Sequence, residues 1–212
     1  MKIKLTLLLL FCTFLMTGCI DIFQSVSLDK GQVKMTMKFT IQKAILEMGA
    51  SFSGEETDYE DLLNEGIDIF DQFEEINGTI SSIDTEYEIG AALNIAGSMK
   101  DMARSLDNEI EYIPVYKNHM YEIRIPGMGK ADEETDEFGA AFLSGAKYRL
   151  LLDLSGDLRK YPYPKIRFED SNMELTNQIS SNRYGSSLLI EIPLILLMFT
   201  EESLIIELHP SN

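Results

Sequence analysis

Two stretches near the start of the chain alternate apolar and polar residues with a period of two. The first runs from Ile20 to Leu28 and the second from Val33 to Ile41, and the polar turn Asp29-Lys30-Gly31 lies between them. Alternation of this kind places successive side chains on opposite faces of a strand. The pattern predicts a β-hairpin whose wetter face carries Lys34, Thr36, Lys38 and Thr40.

Helical spacing follows the hairpin. Ile41, Ile45, Met48 and Phe52 recur three or four residues apart and predict a short helix. A longer helix is predicted from Thr57, because Thr57 and Glu60 have the spacing of a capping box. Its apolar stripe consists of Tyr59, Leu62, Leu63, Gly66, Ile69, Phe70, Phe73 and Ile76. Two brief helices are also predicted, one from Ser98 and one around Phe138 to Leu143.

The remaining apolar pattern is that of strands. An unusually long strand is predicted over Ile83 to Ile95, and a second hairpin over 110–116 and 120–125 with Lys117-Asn118-His119 as its turn. Further strands are predicted at 148–154, 165–168, 173–179, 188–192 and 203–208. Strands outnumber helices and no long linker interrupts them. We therefore expect a single α+β domain over residues 19–212, an antiparallel sheet of hairpins with a few short helices packed on it.

Residues 1–18 have the pattern of a secretory signal. Lys2 and Lys4 precede an apolar stretch from Leu5 to Met16, which is shorter than the roughly 20 residues that a membrane-spanning helix needs. The stretch ends in Leu15-Met16-Thr17-Gly18-Cys19, which resembles the lipobox of bacterial lipoproteins, with Met16 where leucine is usual. The resemblance implies that residues 1–18 are a lipoprotein signal peptide and that Cys19 becomes a lipidated, palmitate-bearing first residue.

A lipidated Cys19 would make the membrane itself a partner of the exported protein. In bacteria with two membranes, an Asp directly after the lipidated cysteine resembles an inner-membrane retention signal. Ile20 occupies that position here and favours the outer membrane, although the cell membrane stays open as the alternative. The lipobox cysteine, the strand that follows it almost at once, the turn with its glycine and the second strand resemble the opening of the LppM-like group of bacterial lipoproteins.

The charge of the chain excludes one class of function. The 212 residues include 18 Lys and Arg against 35 Asp and Glu, a formal charge of -17 that becomes -19 when Lys2 and Lys4 leave with the signal. Phosphate backbones would be repelled, so we expect no nucleic-acid partner. Because Cys12 also leaves and Cys19 is lipidated, the mature chain has no free thiol and no disulfide.

Charge is also segregated along the chain. Fourteen acidic residues and no basic residue lie between Lys43 and Lys100, which fits a solvated helix face, a cation site or a docking surface for a basic partner. Over residues 147–167 the sign reverses and tyrosines are interleaved with the bases. These bases either meet anionic headgroups or neutralise the acidic helix. The candidate membrane-facing residues are Lys147, Arg149, Arg159, Lys160, Lys165 and Arg167.

Residues 188–199 are apolar except for Glu191 and Pro193. The segment is too short to cross a bilayer. It fits a buried strand that ends at Pro193 before a short helical piece. The alternatives are an apolar lip in contact with lipid and the wall of a pocket for an acyl chain.

The sequence contains little material for catalysis. Gly127-Met128-Gly129-Lys130 lacks the first glycine and the final Ser or Thr of a phosphate loop, and neither His119 nor His209 has a nucleophile or carboxylate at a diagnostic spacing. We expect no enzyme, no cofactor and no metal site. The expected function is a non-enzymatic binding or accessory module of the envelope, with an envelope protein or a lipid as its partner. The alternative is a lipid-handling module that holds an acyl chain or docks headgroups.

Overall fold

A computed structural model of the chain describes residues 20–53, 78–105, 111–129, 145–170 and 174–211. The strands in these ranges are β1 (Ile20–Asp29), β2 (Gln32–Gln42), β3 (Thr79–Asp84), β4 (Glu88–Ser98), β5 (Val115–Lys117), β6 (Met120–Ile125), β7 (Lys147–Asp153), β8 (Tyr163–Phe168), β9 (Ser180–Tyr184), β10 (Ser187–Pro193) and β11 (Leu204–His209). The helices are α1 (Lys43–Ser53), α2 (Met99–Ser105) and α3 (Leu194–Met198), and a 3-10 turn covers Asp157–Lys160.

These strands form two sheets. The large sheet has the order β3-β4-β2-β1-β7-β10-β9, and the small sheet has the order β5-β6-β11-β8. Neighbouring strands are antiparallel except β1 and β7, which run parallel from the Asp21–Lys147 pair to the Ser27–Asp153 pair. The fold is therefore mostly β with a mixed large sheet, and the expected α+β domain with an antiparallel sheet is wrong. Apolar periodicity identifies strands, but it does not show which distant strand each one pairs with.

Side chains from both sheets form one hydrophobic core. The alternating residues of each strand supply it, because one face of every central strand points inward. From the large sheet they include Ile22, Val26, Leu93, Tyr148, Leu150 and Ile190, and from the small sheet Ile123, Ile166 and Ile206. The other face of the large sheet, here named the open face, is mostly polar. Ser25, Ser27, Lys34 and Thr36 on it are partly or fully exposed, whereas Thr40, which was expected on the wetter face of the hairpin, is buried.

Both predicted hairpins are confirmed. β1 pairs with β2 from Ile20–Ile41 to Asp29–Gln32, and Lys30 and Gly31 form the turn with positive φ. Asn118 and His119 have positive φ as well and join β5 to β6. Two consecutive positive φ values define the turn type that matches strand twist in tight hairpins. β5 is shorter than predicted, since residues 111–114 lie outside any strand.

The long strand expected over Ile83 to Ile95 is wrong. The chain reverses at Thr85-Glu86-Tyr87, so that β3 and β4 pair with each other. The Thr85 side-chain oxygen accepts hydrogen bonds from the backbone N–H groups of Tyr87 and Glu88 at 3.2 and 3.1 Å. Alternation of apolar residues continues through this turn, and therefore the pattern concealed it.

The region between β8 and β10 also differs from the prediction. In place of the strand expected at 173–179, residues 174–179 make one isolated bridge between Glu174 and Arg167 and then turn, with Leu175 and Ile179 buried. β9 was not expected, because Ser180–Tyr184 contains no aliphatic residue. It is exposed along its length and pairs with β10 at the edge of the sheet.

The helices predicted from Ile41 and Ser98 are confirmed as α1 and α2. The signal peptide, Cys19, the predicted helix at 57–76 and the predicted helix around 138–143 lie outside the described residues, as do most of the fourteen acids. In the ranges given above, every helix is too short or too polar to pass through a bilayer.

Candidate functional site

Three tyrosine side chains meet beside the tip of the β5–β6 hairpin. Tyr116 lies opposite Tyr121, and Tyr161 follows the 3-10 turn. The ring centroids are 5.1 Å apart for Tyr116 and Tyr121, 5.0 Å for Tyr121 and Tyr161, and 6.1 Å for Tyr116 and Tyr161. The ring of Tyr161 is edge-on to both others, an arrangement that contributes about 0.5–1.5 kcal/mol per pair beyond burial. These three residues, here named the tyrosine cluster, form a preorganised aromatic surface.

The 3-10 turn holds the third tyrosine in place. Leu158 is buried in the core, and the Asp157 carboxylate accepts a hydrogen bond from the Gly31 N–H at 2.8 Å. Gly156 approaches β1 so closely that a Cβ there would lie 2.1 Å from the Leu28 carbonyl oxygen. The Ser211 N–H donates to the Lys160 carbonyl oxygen at 2.9 Å. The turn therefore lies at the end of β1 that is opposite Ile20.

A shallow cleft opens between the tyrosine cluster and this turn. Its volume is about 360 Å³, and besides the three tyrosines it is lined by Gly156, Asp157, Arg159 and Lys160. Arg159 and Lys160 are exposed and form no ion pair with any described residue. Because Asp157 is the single acid of the lining, the cleft carries net positive charge in an otherwise acidic protein.

The phenol groups of Tyr121 and Tyr161 have pKa values above the ordinary tyrosine value and stay protonated at neutral pH. Burial is the main cause that raises the pKa of Tyr121, and the charge of Asp157 and the neighbouring Tyr116 add to it. A side-chain hydrogen bond with Tyr116 is the main cause that raises the pKa of Tyr161. Neutral phenols both donate and accept hydrogen bonds. The cleft thus combines ring surfaces, hydroxyl groups and two cations.

Two of the six candidate membrane-facing bases lie on the open face of the large sheet, near the start of β1. An Arg149 guanidinium nitrogen is 2.6 Å from an Asp21 carboxylate oxygen. Glu191 of β10 accepts from Lys147 at 3.3 Å and lies 3.6 Å from Arg149. Both bases are therefore neutralised by acids of β1 and β10.

The other four bases lie elsewhere. Arg159 and Lys160 line the cleft at the far end of β1. Lys165 and Arg167 are on the outer face of the small sheet, where Arg167 donates to Glu207 at 2.9 Å. Burial opposes the charge of Glu207, but hydrogen bonds from Arg167 and His209 outweigh it and lower the pKa of this carboxyl. The six bases consequently occupy three separate places and do not share one surface.

Two of the described acids of the acidic run, Asp84 and Glu88, form ion pairs. Lys43 and Asp84 form an ion pair at 2.5 Å, and Lys38 and Glu88 form another at 2.8 Å. All four residues are partly exposed, so each pair stabilises the fold by about 1 kcal/mol at most. These pairs lie at the end of the large sheet where β1 begins.

The apolar run at 188–199 is a buried strand followed by a short helix, as the first of its alternative readings predicted. β10 ends at Pro193, and α3 begins at the next residue. Leu188, Ile190 and Ile192 are buried, and Leu194 and Leu197 continue the core into the helix.

Two further cavities lined by described residues do not resemble an acyl-chain pocket. One of about 210 Å³ lies on the open face of the large sheet beside Ser25, Lys34 and Asp153. Another, of about 390 Å³, is lined by Lys43, Glu47, Glu86 and their neighbours. These two and the tyrosine cleft all have mixed polar and apolar walls. Lipid pockets are lined mainly by apolar side chains.

No protein-family model and no curated protein matches the sequence. Among solved structures, the chain is similar to the folded domain of the LppM protein of Mycobacterium tuberculosis, which was determined by NMR. The two are 8% identical, the match covers 92% of each chain, and the TM-score is 0.45. The opening residues resemble the lipoprotein group of the same name. Similarity at this level assigns neither an activity nor a ligand.

Tyr161 is one of the tyrosines interleaved with the bases of residues 147–167, but its two partners in the cluster were not predicted from the sequence. A signal for them was present, because a two-residue turn at Asn118-His119 places Tyr116 directly opposite Tyr121. Nothing in the pattern joins Tyr161 to that hairpin. Its position depends on the contacts of the 3-10 turn with the turn between β1 and β2.

Proposed function

We propose that this protein is a lipid-anchored binding module of the bacterial cell envelope, without enzymatic activity, which holds another envelope component in the tyrosine-lined cleft. The observation that supports the proposal is the position of the cleft relative to the start of the domain. β1 begins at Ile20, the residue after Cys19, and the cleft lies against the opposite end of the same strand.

The length of β1 separates the anchor from the cleft. Nine steps of about 3.3 Å lead from Ile20 to Asp29, so the cleft lies roughly 30 Å from the first residue of the strand. A lipid on Cys19 would hold Ile20 against the headgroups, because consecutive Cα atoms are only about 3.8 Å apart. With β1 upright on the membrane, the cleft would open away from it, towards the components of the envelope.

The chemistry of the cleft favours a ligand with a flat apolar face and an anionic group. Ring faces of the tyrosine cluster can stack on such a face, and the hydroxyl groups can bond to its polar edge. Within the part of the chain that the structure describes, no acid forms an ion pair with Arg159 or Lys160. An acidic saccharide of the envelope has both properties, and we propose this class of ligand.

Titration of the lipidated protein in nanodiscs tests the proposal. The probe is an oligogalacturonate, and its methyl-esterified form is the matched neutral ligand. The chain has nine Tyr and no Trp, so a change in tyrosine fluorescence reports binding, and its loss in Tyr161→Ala assigns the change to the cluster. Saturable binding of the acid form is expected, and Tyr161→Ala should abolish it. Tyr163→Ala is the control, since Tyr163 is 59% exposed and outside the cleft lining.

The cations provide a second arm of the same experiment. Joint replacement of Arg159 and Lys160 by Gln should weaken binding about tenfold, because two exposed ionic contacts together contribute about 1.4 kcal/mol. Unchanged binding by Tyr161→Ala would exclude the cleft as the site, and equal binding of the acid and the ester would refute the proposed role of its two cations. Failure of the wild type to bind either form would exclude acidic saccharides as its ligands.

A further inference from the structure

Two large apolar side chains are exposed beside α3. Phe199 is 46% exposed and Met128 is 49% exposed, and together they are named the apolar lip. The loop after β6 runs along the end of the helix, where the Met128 N–H donates to the Leu197 carbonyl oxygen at 2.8 Å. The Gly129 N–H donates to the Thr200 carbonyl oxygen at 3.1 Å. The two side chains therefore project from adjacent, hydrogen-bonded segments.

The apolar lip stands on a rigid base. Leu194 and Leu197 of α3 are buried in the core, and the Leu194 N–H donates to the Ala146 carbonyl oxygen at 2.9 Å. A Cβ on Gly127 would lie 2.2 Å from the Thr200 carbonyl oxygen, so the two segments are in close contact. Since Leu194 and Leu197 already fill the core beneath, the lip has no space to turn inward.

The apolar lip lies near the end of the domain where β1 begins. Asp21, Lys147 and Pro193 occupy neighbouring positions on β1, β7 and β10. Two strand spacings place Pro193 about 10 Å from Asp21. α3 starts at the next residue and rises only about 7.5 Å over its five residues. Phe199 follows α3 directly, which keeps it within about 20 Å of Asp21.

We propose that the apolar lip inserts into the bilayer that holds the lipid on Cys19, so that the domain is docked at two points. This inference rests on the lipid anchor of the proposed function. A single tether would let the domain rotate freely about Ile20. Insertion of Phe199 and Met128 beside the tether would fix the orientation and direct the tyrosine cleft away from the membrane.

Apolar contact, and not charge, drives the proposed insertion. The bases of β7 at this end, Lys147 and Arg149, are already paired with Asp21 and Glu191. Glu201, two residues beyond Phe199, is exposed. A surface with this balance gains little from anionic lipid. We therefore expect equal insertion into neutral and anionic membranes.

Tryptophan scanning tests the lip, because the chain has no Trp of its own. The lipidated full chain is reconstituted into phosphatidylcholine vesicles whose acyl chains are brominated near the headgroup. Bromine quenches tryptophan at short range. Phe199→Trp and Met128→Trp should both lose emission relative to unbrominated vesicles. Tyr184→Trp should keep its emission, since Tyr184 is 64% exposed and lies near the far end of β1.

Each result has one interpretation. If both lip variants keep their emission, or if Tyr184→Trp is quenched equally, the proposed docking is refuted. Flotation of the vesicles reports the anchor separately. A chain that fails to float refutes the anchor and the proposed function, whereas a chain that floats without quenching refutes only the lip. Circular dichroism of each variant confirms that the fold is retained.

Discussion

Tyr148→Phe tests how much the buried hydrogen bond between Tyr148 and Gln24 contributes to stability. Gln24 is fully buried on β1, on the face where its neighbours Ile22 and Val26 are apolar. Its amide oxygen accepts a hydrogen bond from the Tyr148 hydroxyl. Its amide nitrogen donates to the Tyr112 carbonyl oxygen at 2.5 Å. Tyr148→Phe removes one hydroxyl and leaves the Gln24 amide oxygen buried without a donor.

The structure gives the expected magnitudes. A buried acceptor without a hydrogen-bond donor lowers the unfolding free energy by about 1–3 kcal/mol, which is the loss expected for Tyr148→Phe. Gln24→Leu leaves the Tyr148 hydroxyl buried without its acceptor and should cost about 1–3 kcal/mol as well. In the double variant both members of this hydrogen bond are gone. It should therefore be more stable than the sum of the single effects predicts, by about 2 kcal/mol or more.

Urea unfolding of the unlipidated chain, followed by far-UV circular dichroism, measures these four stabilities. Thermal unfolding gives a second readout, with about 2–4 °C expected per kcal/mol for a domain of this size. Tyr163→Phe is the matched control at an exposed position and should stay within about 0.5 kcal/mol of the wild type. The reasoning is refuted if Tyr148→Phe matches this control, or if the double variant equals the sum of the two single ones.

Three further predictions concern pH, packing and lipidation. Burial raises the pKa of Tyr148 above its ordinary value of 10.0, so stability is lost as pH rises past that value. Above that pH, the unfolding free energy measured in urea should fall less steeply with pH in Tyr148→Phe than in the wild type, by about 1.4 kcal/mol per pH unit. Equal slopes in the two proteins would contradict this. Gly156→Ala should lower stability by about 1–3 kcal/mol in thermal unfolding, because its Cβ would overlap the Leu28 carbonyl, whereas the exposed neighbour Ser155→Ala should not. Cys19→Ala should abolish labelling by an alkyne fatty acid, and a wild type that takes up no label would disprove lipidation.

Parts of the fold were predictable because they depend on local pattern. The β1–β2 hairpin combines alternation with a glycine turn, and both signals agree with the structure. The β3–β4 hairpin has the same alternation, but the Thr85 hydroxyl makes its turn in place of glycine or proline. β9 has no aliphatic residue because it is an exposed edge strand. Local pattern therefore located core strands better than turns and edges.

The parallel pairing of β1 and β7 could not be predicted from pattern. Asp21 and Lys147 are neighbours in the sheet and far apart in the chain, and the period of neither strand identifies its partner. The places of the basic residues in the fold could not be predicted from the pattern either. The run from Lys147 to Arg167 is continuous in sequence, but one strand, one turn and a second strand distribute it over three surfaces. The tyrosine cluster depends on the same long-range arrangement, since Tyr161 comes from outside the hairpin of its partners.

The interior position of β1 has a consequence for the order in which the strands can pair during synthesis. β1 and β2 precede the other strands in the chain and can pair as soon as both are synthesised, since their turn is short. The other edge of β1 stays unpaired until β7 has also been synthesised, because Lys147–Asp153 is its neighbour on that side. Closing so long a loop is slow. During this time the unpaired edge can bind a strand of another chain, so newly synthesised molecules are most prone to aggregation before β7 is available.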